Sequence, residues 1–156
     1  MIAIPIPWNR NKWSTMSFAS TLYLCPILDL LLANVPLEWR AELRLGLQEA
    51  LVNAAKHGNK LDPNKMVVVK FSVTTSEYCW IIADEGRGFA PNTTKRLNVI
   101  DSCKVEEYFL PEDEAESGRG LCILHKIFDR VHWNSQGTQL TLSKLVTTPN
   151  KQPAIY

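Results

Sequence analysis

Residues 36–57 carry the strongest helical pattern in the chain. Leucine, valine and alanine recur there at intervals of three and four residues, which places them on one wide apolar face of a helix. Pro36 suits the first helical turn, Glu38 lies near the positive end of the helix dipole, and Gly58 suits the position just beyond the last turn. The pattern therefore predicts one helix over 36–57.

Runs of β-branched and aromatic residues predict the strands. Residues 65–73 and 78–84 are separated by a short polar stretch, and we expect them to form an antiparallel hairpin. Residues 13–20 alternate between apolar and polar positions, which predicts another strand. Two further runs, on either side of residues 136–138, predict a closing hairpin.

The remaining elements settle the expected fold class. One helix is predicted from Ser20 or Thr21, either of which could cap it, to about Asn34, and another over 118–129 begins with glycines. Residues 90–117 lack a clean period and are expected to form a long loop. Consecutive strands joined by short turns cannot form an all-parallel sheet. The prediction is an α+β fold, a two-layer sandwich in which helices cover one face of a mainly antiparallel mixed sheet.

Length and composition favour a single globular domain. The 156 residues are 46% hydrophobic and 21% charged, which is ordinary for a soluble protein. We expect the folded domain to span residues 13–146, with an irregular arm at 1–12 and a flexible tail at 147–156. The net charge of +1 gives no broad field that would attract nucleic acid or an anionic membrane, so neither is an expected partner.

Cysteine usage and hydropathy favour a cytoplasmic location. The four cysteines are scattered without a CxxC pair, which argues against a metal site and favours reduced thiols. The N-terminus lacks the basic and apolar regions of a signal peptide. The most apolar run is interrupted by Pro26 and Asp29 and is too short to span a bilayer.

A polar stripe interrupts the apolar helix at 36–57. Glu49, Asn53 and His57 are spaced four residues apart, so an unbroken α-helix would carry them on one face. Such a stripe, taken alone, is more often a solvated surface than a site. A carboxylate that can accept a proton and an amide oxygen that can bind Mg²⁺ are nevertheless two components of a phosphoryl-transfer site.

Two glycine-rich segments strengthen the case for a site. The first, DEGRGF at 84–89, follows a predicted strand, and the second, GRG at 118–120, opens a predicted helix. Each could be a simple turn or helix entry, but exposed backbone N–H groups at such places also favour phosphate. Asp84, at the strand end, could accept a hydrogen bond from the amine of a base. Together these features fit a Mg-nucleotide pocket better than a core.

The three segments EALVNAAKHGN, DEGRGF and GRGLCIL resemble the N, G1 and G2 boxes of the GHKL (Bergerat-fold) ATPases in order and spacing. The short frame resembles the anti-sigma factor serine kinases of the RsbW and SpoIIAB type, over about residues 13–146. This resemblance implies the Bergerat fold, with ATP and Mg²⁺ as cofactors and residues 90–117 as the ATP lid. It also implies a homodimer whose partners are an anti-sigma antagonist domain, as substrate, and a sigma factor.

The resemblance assigns roles to individual residues. Glu49 would be the general base, Asn53 the Mg²⁺ ligand, and Asp84 the residue that recognises the adenine amine. The nucleotide-binding residues that it implies are Asn53, His57, Asp84, Gly86, Gly88, Gly118, Arg119, Gly120, Leu121 and Thr138. The glycines would allow close approach of the nucleotide, and Arg119 could reach the terminal phosphate or face solvent instead.

Several functions remain open from the sequence. Retention of Glu49 favours a protein-serine kinase, because nucleotide binding alone needs no base. The alternative is a nucleotide-dependent binding module that sequesters a sigma factor or another regulator with little or no turnover. The catalytic domain of a histidine kinase is less favoured, because about 35 residues precede the N-box helix. Relatives of the gyrase or Hsp90 type would need further domains.

Overall fold

The fold consists of one antiparallel sheet and three helices. The computed structural model describes residues 13–88 and 112–146, and within 112–118 it describes the backbone only. The strands are β1 (Ser14–Ala19), β2 (Met66–Val73), β3 (Glu77–Ala83), β4 (Arg130–Trp133) and β5 (Gln139–Leu145). The helices are α1 (Cys25–Leu31), α2 (Leu37–Val52) and α3 (Glu112–Ile127), and a π-helical turn (Asn53–Gly58) continues α2.

The sheet has the strand order β1-β2-β3-β5-β4, and every described pair is antiparallel. The predicted hairpins β2–β3 and β4–β5 are both present, and the α+β prediction is confirmed. Pairing of β3 with β5 is the feature that matters most for the site. It brings the end of β3 beside the start of β5, with Ala83 opposite Gln139.

Alternate residues of the sheet face the helices. Val69, Ile82 and Leu140 occupy one cross-strand row, and each is almost completely buried. Helix α2 contributes its own buried leucines to the same core: Leu43, Leu47 and Leu51. Truncating one such leucine to alanine typically costs about 2–5 kcal/mol, so this layer carries much of the stability.

A buried ion pair links α2, β5 and the end of α3. Lys144 Nζ lies 3.6 Å from Glu42 Oε1 and donates to the carbonyl of Ile127 at 2.7 Å. The same ammonium lies 5.1 Å from the ring centroid of Trp39. Because Ile127 is the last residue of α3, these contacts fix the C-terminal end of that helix against α2.

The helix boundaries differ from the predictions in three places. Helix α1 begins at Cys25, later than predicted, with Pro26 in its first turn and no side-chain cap. The Thr21 hydroxyl instead accepts a bond from the Tyr23 amide. The helix at 36–57 is α-helical only to Val52 and then becomes π-helical. Helix α3 begins at Glu112, six residues before the predicted start at Gly118.

Several predictions fall outside the described residues: the arm at 1–12, residues 90–111 of the predicted lid, and the tail at 147–156. Residues 112–117, predicted as loop, belong to α3. Cys25 and Cys79 are free thiols, as expected, whereas Cys122 is disulfide-bonded, contrary to the expectation. Among the residues that the structure describes, no helix is long and apolar enough to cross a membrane.

Candidate functional site

The polar stripe of α2 faces α3 at Gly120. A Cβ added to Gly120 would lie 3.0 Å from Glu49 Oε2 and 3.8 Å from Asn53 Nδ2. The carboxylate and the amide predicted from the stripe are therefore together at one point, and the missing side chain of Gly120 leaves the space in which they sit. Both residues are half-buried, so a ligand can reach polar atoms held by a packed helix.

The predicted phosphate site at a glycine-led helix start is wrong in one respect. Gly118, Arg119 and Gly120 lie inside α3 and do not open it. The sequence EDEAES before them is acidic and contains Glu and Ala, and acidic residues in a first helical turn complement the helix dipole. These residues extend the helix through the position that the glycines marked. Arg119 is exposed, and Leu121 is half-buried.

Asp84 lies in a turn directly after β3. Its backbone N–H donates to the carbonyl of Thr138 at 3.0 Å, and its Oδ1 accepts from the Gly86 N–H at 2.8 Å. A Cβ on Gly58 would overlap the Asp84 carboxylate, so the end of the π-helical turn packs directly against this side chain. Three segments distant in sequence thus meet at Asp84.

The electrostatic environment of Asp84 favours its neutral form. Burial raises the pKa of Asp84 above its ordinary value, and the Gly86 N–H bond and the charge of Lys65 offset part of that rise in pKa. A partly desolvated carboxylate that gains from a further hydrogen-bond donor is suited to accept a bond from a ligand amine.

Close backbone approach explains the glycines after Asp84. A Cβ on Gly86 would overlap the carbonyl of Gly58, and one on Gly88 would overlap the carbonyl of Gln136. Gly88 also has φ +74°, a conformation that side chains with a Cβ rarely adopt. The DEGRG turn is therefore held against both the π-helical turn and the β4–β5 connection, where Thr138 lies.

The π-helical turn changes the predicted geometry of the stripe. The Asn59 N–H donates to the carbonyl of Ala54 at 2.9 Å, a five-residue spacing in place of the four of an α-helix. The premise of an unbroken α-helix is wrong beyond Asn53, so the four-residue spacing no longer places His57 directly above it. His57 is half-buried, and its role in nucleotide binding stays a prediction.

Sequence reasoning missed two residues of this region. Gly58 was expected only to end a helix, yet it packs against Asp84, and Asn59 is completely buried. A polar residue just after a predicted helix end is usually solvated, so the local pattern gave no warning. The long-range pairing of the strands would have been needed to place Asn59 in the interior.

Comparisons with known proteins agree with this geometry. The family model described as "Histidine kinase-like ATPase domain" matches residues 28–144. Anti-sigma F factors from three strains of Clostridium perfringens are each 22% identical to the chain over 115 residues, which is 72% of this chain and 76% of each relative.

Among solved structures, the mycobacterial sensor histidine kinase MprB matches with a TM-score of 0.47 and 19% identity. The match covers 86% of this chain and 97% of that one. The family model spans most of the described elements, from α1 to β5. The chain therefore belongs to the histidine kinase-like ATPase domain family.

Proposed function

We propose that this protein binds Mg-ATP and acts as a protein-serine kinase and anti-sigma regulator, phosphorylating an anti-sigma antagonist. The observation that supports this most is the position of Glu49 Oε2 beside Asn53 at Gly120. A kinase needs both a carboxylate and an oxygen ligand for the metal at one place, and a purely structural stripe needs neither. The anti-sigma F factors among the relatives favour the same regulatory class.

The residues present fit the ligands that this function requires. Asn53 would hold Mg²⁺ through its amide oxygen, with phosphate oxygens and water completing the shell, because Mg²⁺ prefers oxygen ligands and keeps several waters. The bound ion would neutralise charge on the phosphates. No cluster of three His, Cys, Asp or Glu suited to a metal occurs within residues 13–88 and 112–146, and this design does not require one.

Asp84 and Thr138 would form the end of the pocket that holds the base. The Asp84 carboxylate would accept from the adenine amine, and the adjacent Thr138 would contribute polar atoms next to it. Gly86 and Gly88 let the backbone of this turn approach the nucleotide. His57 and Leu121 would contribute to the walls of the pocket.

The phosphates would lie between Asn53 and the segment Gly118–Leu121 of α3. Arg119 is exposed and could neutralise charge on the terminal phosphate, as arginine does in other phosphoryl-transfer enzymes. Glu49 would accept the proton of the attacking serine hydroxyl. Positioning and charge neutralisation supply most of the catalysis in this chemistry, and the base supplies a smaller part.

A second function has support from the same relatives. Anti-sigma F factor is the printed name of the matched proteins, and binding a regulator in a nucleotide-dependent manner would suffice for it. In this version the chain, as a cytoplasmic homodimer, sequesters a sigma factor with little turnover. Retention of the Glu49 carboxylate beside Asn53 favours the kinase.

Transfer from ATP labelled at the γ-phosphate distinguishes the two. The protein is incubated alone and with candidate antagonist domains, in wild-type form and as Glu49→Gln, while nucleotide and partner binding are measured in parallel. We expect label on a partner serine, and a fall of about 10²–10⁴-fold in transfer for Glu49→Gln with binding retained.

Other outcomes contradict the kinase proposal. Equal transfer rates for Glu49→Gln and wild type would remove Glu49 as the base. Binding of ATP and a partner without transfer would favour the sequestering module. A pull-down from native lysate with and without Mg-ATP would identify the partner in either case.

A further inference from the structure

Asn59 is the first residue after the π-helical turn, and its side chain is completely buried. Its Nδ2 donates to the Ser20 hydroxyl at 2.8 Å and to the Met66 carbonyl at 2.9 Å. Its Oδ1 accepts from the backbone N–H of Glu85 at 2.7 Å. Both donors and the acceptor of this amide are therefore used, as burial requires.

These bonds join three separate parts of the chain. Ser20 follows β1, Met66 opens β2, and Glu85 lies in the turn after β3. The Glu85 side chain closes the arrangement, because its Oε2 accepts from the Met66 N–H at 2.6 Å. Glu85 is thus held through both its backbone and its carboxylate. We call Asn59, Ser20, Met66 and Glu85 the Asn59 clamp.

The backbone after Asn59 indicates a site that is tightly determined. Lys60 and Leu61 have φ values of 55° and 57°, a left-handed conformation that is unusual for two successive residues other than glycine. Such conformations persist only where surrounding contacts over-determine them. The Asn59 carbonyl, which accepts from the Asp62 N–H at 3.0 Å, is one of those contacts.

The clamp acts next to the residue proposed to recognise the base. Glu85 lies between Asp84 and Gly86, and the Gly86 N–H donates to the Asp84 carboxylate. Fixing the Glu85 N–H therefore fixes the peptide that connects it to Asp84. Asn59 has no described contact with the Asp84 carboxylate itself, so any effect on that carboxylate passes through the turn.

We propose that Asn59 is a positioning residue that sets the orientation of Asp84 and thereby the preference for adenine over guanine. The proposal rests on the ATP-binding function proposed above. Adenine presents an amine at the position where guanine presents a carbonyl, so a correctly aimed carboxylate attracts the first and repels the second. A turn released from Asn59 would lose this discrimination and would still offer the phosphate and metal contacts at Asn53 and Gly120.

The test compares Asn59→Ala with Ser20→Ala, a matched control that removes one bond of the same clamp and leaves the Glu85 bond intact. The dissociation constants for Mg-ATP and Mg-GTP are measured for each folded variant, and stability is measured by urea unfolding. For Asn59→Ala we expect about tenfold weaker ATP binding and a lower ATP-to-GTP preference, the effect of one lost hydrogen bond. Ser20→Ala should lower stability and keep the wild-type preference.

A second variant keeps the test decisive if Asn59→Ala does not fold. Glu85 is exposed, so Glu85→Ala should fold, and it removes the bond to Met66 that holds the same turn. We expect a smaller shift of the ATP-to-GTP preference in the same direction.

Three results would overturn the proposal. If neither Asn59→Ala nor Glu85→Ala changes the nucleotide preference of a chain that binds ATP, the positioning role is wrong and the proposed function stands. If Ser20→Ala shifts the preference as much as Asn59→Ala, the effect is general loosening. If the wild-type chain binds no ATP, the proposed function fails, and the role of Asn59 fails with it.

Discussion

Lys144 and Glu42 form an ion pair whose two side chains are almost excluded from water, with exposed fractions of 9% and 4%. The pair is not fully balanced, because Glu42 Oε2 is buried without a hydrogen-bond partner. Removing the ammonium would leave a buried carboxylate without its counter-ion, which is among the costlier single changes that a small domain can undergo.

Lys144→Met should therefore lower the free energy of unfolding by about 3–5 kcal/mol, the range for breaking a buried pair. Urea denaturation measures it. Lys70→Met, at an exposed position of β2, is the matched control and should stay within about 0.5 kcal/mol of wild type. The double variant Lys144→Met with Glu42→Gln should recover part of the loss. An equally large loss in the double variant would show that packing, and not charge, is responsible.

Asp84→Asn should weaken Mg-ATP binding by about tenfold to a hundredfold, because the replaced carboxylate gives up a charged hydrogen bond to the base. The asparagine oxygen can still accept from the Gly86 N–H, so the turn should keep its shape. Calorimetry with ATP measures the affinity. Wild-type affinity in this variant would remove Asp84 from the nucleotide site.

The same substitution should change how stability depends on pH. Because burial raises the pKa of Asp84 in the folded state, the folded protein holds this proton more tightly than the unfolded chain does. The contribution to stability is complete below the unfolded pKa of about 3.9 and is lost as the pH rises through the higher folded pKa. In Asp84→Asn this loss should disappear. Urea unfolding of both proteins from pH 4 to 7 tests it, and parallel curves would contradict it.

Asn53→Ala should abolish Mg²⁺-dependent ATP binding while leaving the fold intact. Alanine is the best helix former, so the junction between α2 and the π-helical turn should tolerate the change. ATP titrations with and without Mg²⁺ report on the metal, and thermal unfolding reports on the fold. A variant that melts much lower and binds Mg-ATP normally would identify Asn53 as a structural amide.

Gly120→Ala should separate stability from function. Within α3, alanine in place of glycine should raise helix stability by up to about 1 kcal/mol. The added Cβ would lie 3.0 Å from Glu49 Oε2, so the carboxylate must shift away from its present position. We expect a protein at least as stable as wild type with slower phosphoryl transfer. Unchanged transfer by the variant would show that the position of Glu49 near α3 is not important.

The sequence was most informative where local periodicity matched the final environment. The alternation in residues 66–73 and 77–83 predicted the β2–β3 hairpin because one face of each strand is buried, as at Val69 and Ile82. The stripe placed Glu49 and Asn53 together because both precede the change to π-helical bonding. In these cases a residue's neighbours in sequence set its position.

Other features depended on contacts between distant segments. Asp84 meets Thr138 because β3 pairs with β5, and the pattern within either strand does not specify that pairing. The polarity of Asn59 resembled that of a solvated turn, while three remote segments make it an interior residue. The start of α3 was wrong because glycines were expected to open a helix that begins at Glu112.

The π-helical turn has a consequence for insertions and deletions. Its five-residue hydrogen-bond spacing fits one more residue into the turn than an α-helix would. Deleting one residue between Asn53 and Gly58 could restore regular helical bonding and would rotate everything that follows about the helix axis. Gly58 would then no longer face Asp84, although the helix itself would be sound. The number of residues between the proposed metal ligand and the adenine-recognition turn is therefore constrained independently of their identity, and a search for such sites should hold that count fixed.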